Sequence, residues 1–165
     1  MAADSFDRLL ARMADTEVAT SETLRGCTPA EVRQLERRFG VTLPATYRRF
    51  LAVMGRDSGR LFTHDQVTAT YPGIAAATAG LRAQLAAAGG YELPADAVVI
   101  LARDAEQYNF IRCDDPGDSA VWALDLGASR VRPRRFRTSV LGWLRAWAGE
   151  AAAAVADGWY ERNRG

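Results

Sequence analysis

The segment from Gly26 to Gly55 constrains the fold of this chain more than any other stretch, and it reads GCTPAEVRQLERRFGVTLPATYRRFLAVMG. Thr28 and Glu31 have the spacing of a capping box, in which each side chain accepts a hydrogen bond from the other residue's backbone amide. Pro29 falls at the first helical position, where its missing amide hydrogen costs nothing. Gly40 suits the left-handed residue that follows a helix end. The segment therefore begins with a predicted amphipathic helix of about three turns.

A second short helix is predicted directly after this one. Pro44 cannot continue a preceding helix and disfavours helical geometry at Leu43, but it is a good residue to start the next helix. Gly55 supplies the stop signal. The predicted apolar face of this helix consists of Tyr47, Phe50, Leu51 and Met54. The sequence thus predicts two helices joined by a fixed kink.

This arrangement resembles the N-terminal motif of the SUKH superfamily, which includes relatives of fungal cell-wall-synthesis regulators and many bacterial immunity proteins. The motif runs LExxFG, then V-x-LP-x-x-Y-x-x-FL and a terminal glycine. The matching residues are Leu35, Glu36, Phe39, Gly40, Leu43, Pro44, Tyr47, Phe50, Leu51 and Gly55. The resemblance covers roughly residues 24 to 150 and implies a β-meander followed by a closing helix. The start of that helix would be marked by Phe136, Ser139, Val140, Trp143 and Leu144.

Periodicity and turn signals predict the remaining elements. We expect helices over about 4–14 and 74–88, a short strand over 60–62, strands over 97–102, 108–113, 121–124 and 131–136, and a last helix capped by Thr138 or Ser139. The linker 15–25 is expected to be irregular and the polar tail 157–165 to fray. The whole chain, 1–165, then forms one α+β domain with its core at about 24–150. It contains an antiparallel β-meander of about four to six strands with helices packed mainly on one side, and one sheet face left for a partner.

Composition agrees with a single domain, because 165 residues of which 48% are hydrophobic can enclose one core. No apolar run approaches the roughly 18 residues that span a bilayer. The first residues, MAADSFDRLLARMAD, do not resemble a secretory signal. We therefore expect a cytoplasmic protein with no membrane partner.

The charges are unevenly distributed along the chain, although the net charge is +1. Residues 91–129 hold eight acids against two arginines, whereas residues 130–165 hold eight arginines against three acids. The basic cluster RVRPRRFR, residues 130–137, is interpreted as a charged edge strand containing Pro133, with a phosphate-binding strip as the less favoured alternative. The near-neutral balance argues against a nucleic-acid partner.

Signals for catalysis are sparse. His64 is the only histidine, and nothing in the local sequence pairs it with Cys27 or Cys113, so a surface or turn position is favoured. The two cysteines are expected to be free thiols. No phosphate-binding loop is present, and the turn DDPGD at 114–118 lacks the EF-hand spacing. We expect no catalytic residue, no cofactor and no metal; a deep pocket that holds His64 with two or more acids would instead favour an enzyme.

The SUKH resemblance implies an immunity protein that binds and neutralises a cognate protein toxin, and nucleases are frequent among such toxins. Acidic residues on the meander loops are the candidate contact residues, since they can mimic a phosphate substrate. They are Asp104, Glu106, Asp114, Asp115 and Asp118. The alternative that these acids only solvate turns is equally open. A non-catalytic scaffold of the cell-wall-regulator type is the less favoured alternative function. The sequence does not indicate an oligomeric state.

Overall fold

The computed structural model describes residues 2–164, with side chains from Ser5 onward. Its helices are α1 (Ala2–Asp15), α2 (Pro29–Phe39), α3 (Ala45–Met54), α4 (Gly73–Ala88), α5 (Val140–Ala156) and α6 (Trp159–Arg162). Its strands are β1 (Leu24–Arg25), β2 (Asp57–Ser58), β3 (Val67–Thr68), β4 (Ala97–Arg103), β5 (Gln107–Arg112), β6 (Val121–Asp125) and β7 (Arg134–Arg137).

The main sheet is an antiparallel meander in which β3, β4, β5, β6 and β7 lie in chain order. Short connections join β4 to β5, β5 to β6 and β6 to β7 as antiparallel neighbours, whereas residues 69–96, which include α4, connect β3 to β4. The strands β1 and β2 form a separate two-stranded sheet. The predicted α+β fold with a β-meander is confirmed.

The two N-terminal motif helices form as their local signals predict. The Thr28 amide donates to Glu31 Oε2 at 2.9 Å, and the Glu31 amide donates to Thr28 Oγ1 at 3.2 Å, which completes the capping box. Gly40 has a φ of 63°, and it ends α2 in the left-handed conformation that glycine adopts without strain.

The kink between α2 and α3 is held by Glu36. Its Oε1 accepts from the Leu43 amide at 2.9 Å and from Arg48 Nη2 at 2.5 Å. Helix α3 has no side-chain cap; instead, the Ala45 and Thr46 amides donate to the carbonyls of residues 116 and 117, at 2.9 and 3.0 Å. The β5–β6 connection therefore satisfies the start of α3, a role that the sequence did not predict.

Helices cover both faces of the main sheet. Helices α1, α2, α3 and α5 pack on one face around the fully buried Tyr47, Phe50 and Trp143. Helix α4 lies on the other, where Leu81 and Leu85 join a second cluster. Its strand members are Ala97, Val99, Tyr108, Phe110 and Leu124. The face that we expected to be free is therefore partly covered by α4.

Two polar side chains join α4 to β4 and the segment before it. Thr78, which is fully buried, accepts from the Val99 amide at 3.0 Å. The Arg82 guanidinium donates to the carbonyls of Leu93, Pro94, Ala95 and Ala97 at 2.9 to 3.1 Å. Strand β3 pairs only with Ala102 and Arg103 of β4. The backbone groups along the rest of that β4 edge therefore need other hydrogen-bond partners, and α4 supplies some of them.

The structure corrects three expectations. Residues 60–62 form turns rather than a strand. Strand β7 begins at Arg134, because residues 131–133 do not pair with β6. The tail contains α6 instead of fraying at Asp157, and the Tyr160 hydroxyl donates to the Arg60 carbonyl at 2.8 Å. The guanidinium of Arg60 also lies 4.7 Å from the Tyr160 ring centroid, so this contact anchors the tail.

Candidate functional site

The acidic loop residues do not form one surface. Asp104 and Glu106 lie in the β4–β5 turn, whereas the other three predicted contact residues lie in the β5–β6 connection. Those three are Asp114, Asp115 and Asp118. Consecutive turns of a meander lie at opposite ends of the sheet, and the six residues of β5 separate these two groups by roughly 17 Å. The five acids therefore form two separate groups rather than one local cluster, and their role in binding a toxin stays a prediction.

Asp118 and Asp115 have structural roles. Asp118 Oδ1 accepts from the Ser119 amide at 2.7 Å and from the Val140 amide at 2.9 Å, so it connects the β5–β6 loop to the start of α5. Asp115 Oδ1 accepts from the Gly117 amide at 2.8 Å, which shapes the turn that contacts α3. Asp114 is exposed and remains the candidate contact residue at this end.

The opposite end of the sheet carries an unusual tight turn. Asp104 and Ala105 have φ values of 54° and 52°, and the Glu106 amide donates to the Arg103 carbonyl at 3.1 Å. Two consecutive left-handed residues match the twist of a hairpin, a position normally taken by Asn-Gly or Asp-Gly. The turn projects Asp104 and Glu106 into solvent.

A cleft of about 440 Å³ lies between α5 and the sheet, and we call it the arginine cleft. Strand β7 supplies one wall through Arg134, Phe136 and Arg137, and Arg132, just before the strand, extends this wall. Helix α5 supplies Trp143, Trp147 and Glu150. Arg132, Arg134 and Phe136 line the same wall because alternate residues of an extended chain face the same side. Trp143 is fixed in the floor, since its indole Nε1–H donates to Asn109 Oδ1 at 3.1 Å.

The positive charge of the arginine cleft is only partly offset by the two acids that line it, Asp125 and Glu150. Within residues 2–164, none of the five arginines between 130 and 137 forms an ion pair with a carboxylate. Two of them instead lie over one ring, with guanidinium carbons 5.5 Å (Arg134) and 4.1 Å (Arg137) from the Phe136 centroid. The positive charge that these arginines bring to the cleft would favour a bound anion there.

The other end of the arginine cleft carries paired charges. Arg103 forms an ion pair with Asp65, and Glu150 Oε2 lies 3.6 Å from His64 Nε2. His64 occupies a turn, as predicted, and its ring lies 5.4 Å from that of Trp147. The histidine itself does not line the cleft. The arrangement in which His64 shares a deep pocket with two acids is therefore not the one observed.

A second groove runs along β3 and the first turns of α4, and it is wider and more open than the arginine cleft. Threonine, alanine and glycine side chains form most of its wall, and its charged residues are of both signs. Two aromatic residues, Phe62 and Tyr108, line the groove but are buried, and its charges are one arginine, Arg56, against three aspartates, Asp57, Asp65 and Asp104. The groove therefore offers no exposed aromatic anchor of the kind that concentrates binding energy.

The cysteine thiols are poorly suited to nucleophilic chemistry. Burial raises the pKa of Cys27 to about 11, and it raises that of Cys113 to about 12, so both thiols are protonated near neutral pH. Burial also raises the pKa of Tyr47, whose hydroxyl has no hydrogen-bond partner among the described residues.

Comparison with protein-family models gives no match for this chain, and neither does a search of curated proteins. No helix within residues 2–164 combines the length and apolar character needed to cross a membrane. Over the same described range, no three His, Cys, Asp or Glu side chains are grouped so that they could hold a metal ion.

The sequence predicted the basic strand and the last helix, but it did not indicate that the two meet in one cleft. The alternation of Arg132, Arg134 and Phe136 was a sufficient signal that these side chains share one face. The spacing of Trp143 and Trp147 likewise placed them on one face of α5. That these two faces meet depends on how β7 pairs with β6 and how α5 returns over the sheet, which is a long-range property of the fold.

Proposed function

We propose that this chain is a SUKH-type immunity protein, which binds and neutralises a cognate protein toxin in the cytoplasm of the cell that produces it. Nucleases are one class of toxin that this proposal includes. The protein acts by occupying a surface of the toxin and carries out no chemistry itself.

The single observation that carries the proposal is the structural use of the N-terminal motif. Glu36 joins the α2–α3 kink to α3, Gly40 ends α2, and Tyr47 and Phe50 are fully buried in the core. Gly55 lies so close to α3 that a Cβ there would approach the Leu51 carbonyl oxygen to 2.6 Å. Each motif residue thus supports this particular arrangement of helices, which favours a resemblance in fold over a chance match of letters.

The experiment first looks, beside the gene for this chain, for a gene that encodes a large secreted protein with a C-terminal toxin domain. That toxin domain is expressed from an inducible promoter, with or without the full chain, and growth is measured. We expect growth only when the chain is present, together with a stable 1:1 complex by calorimetry. Toxicity that persists despite equal expression of folded chain, with no complex detected, would overturn the proposal.

The acidic residues of the β4–β5 turn and those of the β5–β6 connection can be tested separately, because they lie at opposite ends of the sheet. Asp104→Asn with Glu106→Gln removes the charge at the β4–β5 turn, and Asp114→Asn removes exposed charge at the other end. Asp118 is left intact, since its loss would disturb the start of α5. Loss of rescue in one variant assigns the acidic contact to that end; unchanged rescue in both means that the acids solvate turns.

A non-catalytic scaffold of the cell-wall-regulator type is the alternative. It would also bind a protein but would not inhibit it. A complex that forms with a partner whose activity is unchanged would favour the scaffold and contradict the immunity role.

A further inference from the structure

Strand β7 is an edge of the main sheet. It pairs with β6 on one side, and within residues 2–164 no strand pairs with its other side. The outward amide and carbonyl groups of such a strand can accept another extended chain. Arginine-rich edges normally prevent this, because a second copy of the same edge is repelled.

The same arginines attract a chain of opposite charge. Arg132 and Arg134 are exposed, line the arginine cleft and lack carboxylate partners in the described structure. Carboxylates of an added strand recur on one face at every second residue, which is the spacing of Arg132 and Arg134. Charge-assisted hydrogen bonds to these guanidinium groups would add to the backbone bonds along the edge.

The cleft is better suited to an acidic peptide than to a nucleic acid. Glu150 lines one wall with a side chain that is 62% exposed, and Asp125 lines another. A nucleic acid carries a charge at each phosphate and would be repelled by both. A peptide can place an uncharged side chain beside Glu150, and its apolar groups can contact Phe136 and the edge of Trp147.

We infer that β7 and the arginine cleft dock an extended, acidic segment of the partner protein, which is added to the sheet beside Arg134–Arg137. This inference rests on the proposed function, since it names the part of the partner that the chain holds. Arg132 and Arg134 bind the carboxylates, and Phe136, next to Arg134, provides an apolar contact.

The probe is a fluorescein-labelled peptide of about eight residues that alternates glutamate with threonine, a length that covers one edge strand. Its control carries glutamine in place of glutamate. Binding to the full chain is followed by fluorescence anisotropy at low salt, and the contact site by amide chemical shifts. We expect the acidic peptide alone to bind, to weaken as salt is raised, and to shift residues 132–137 together with the Trp143 and Trp147 indole signals.

Arg132→Gln combined with Arg134→Gln should weaken this binding about tenfold or more, because two charge-assisted bonds are lost. Arg135→Gln is the matched control, since Arg135 is exposed on the same strand but does not line the cleft. It should change the affinity less than about threefold. Thermal unfolding of all variants verifies that each is folded.

Three results of the binding experiments would overturn the inference, and a fourth concerns self-association. The first three are no binding of the acidic peptide at low salt, equal weakening by Arg135→Gln, and tighter binding of a single-stranded oligonucleotide through the same arginines. Concentration-dependent self-association that masks β7 would also overturn it. Toxin rescue is measured separately: rescue without peptide binding rejects this inference alone, whereas peptide binding by a chain that fails to rescue rejects the immunity role alone.

Discussion

Thr78 provides the sharpest test of how α4 is attached to the sheet. Its hydroxyl donates to the Ile74 carbonyl and accepts from the Val99 amide, each at 3.0 Å, and both Thr78 and Val99 are fully buried. The amide of Val99 cannot be satisfied by β3, which reaches only residues 102 and 103 of β4. Thr78→Val keeps the shape of the side chain and removes this one acceptor.

We expect Thr78→Val to lower the free energy of unfolding by about 1–3 kcal/mol, the cost of a buried amide left without a partner. In a chain of this length, that corresponds to a decrease in Tm of roughly 2–4 °C for each kcal/mol. Urea unfolding followed by circular dichroism gives the free energy. Native-state hydrogen exchange should show faster exchange of the Val99 amide.

Thr78→Ser is the matched control because it keeps the hydroxyl and removes a methyl group. It should cost about 1 kcal/mol through lost packing and leave the Val99 amide protected. The reasoning is refuted if Thr78→Val is as stable as the wild type, within about 0.3 kcal/mol, and if Val99 exchange is unchanged. That result would mean that the amide has another acceptor or is reached by water.

Three further predictions concern backbone fit and charge. Gly26→Ala should lower the free energy of unfolding by more than about 3 kcal/mol, because its Cβ would lie 1.8 Å from a carbonyl oxygen of α3. In contrast, Gly80→Ala should raise it by about 0.5–1 kcal/mol, since a Cβ there meets nothing within 4 Å. Urea unfolding measures both changes. Ala105→Gly should raise the free energy of unfolding by about 1 kcal/mol, since φ is 52° there, and an unchanged Tm would contradict this. Glu31→Gln should destabilise the chain at pH 6 but not near pH 2. The hydrogen bond from Arg56 lowers the Glu31 pKa from 4.5 to about 2. The ionised Glu31 side chain therefore stabilises the fold above about pH 4.5, and this stabilisation is lost as pH falls towards 2. Urea unfolding gives the difference in the free energy of unfolding between the wild type and Glu31→Gln. If this difference is constant from pH 6 to pH 2, the Glu31 prediction is refuted.

The helix pair α2–α3 was predictable because its determinants are local. A capping box, a proline bend and a terminal glycine act within a few residues of the positions they define. Strands of two residues, such as β1 and β3, carry no periodicity of their own and exist through pairing with distant chain segments. The capping of α3 by the carbonyl groups of residues 116 and 117 was hidden for the same reason, since only the fold brings them together.

The separation of the acidic loops, by contrast, was contained in the predicted topology. A meander places successive turns at alternate ends, so Asp104 and Asp114 could not share a loop surface once β5 was assigned between them. Charge counted along the chain grouped residues that the fold keeps apart. It also left Arg132 and Arg134 as an edge-protecting cluster, because their relation to α5 depends on packing over the sheet.

The N-terminal motif and the arginine cleft differ in how much substitution the fold tolerates there. The residues of the N-terminal motif have structural roles. Substitution of Glu36 would disturb the α2–α3 kink, and substitution of Tyr47 would disturb the core. Arg132 and Arg134 make no contact on which the core depends, and Phe136 is only partly buried. Substitutions at the arginine cleft can therefore alter charge and shape at little cost to folding, whereas those at the motif cannot. A binding protein that must match one partner closely is expected to carry its specificity where the fold tolerates change, and under the proposed immunity role that place is the β7 edge.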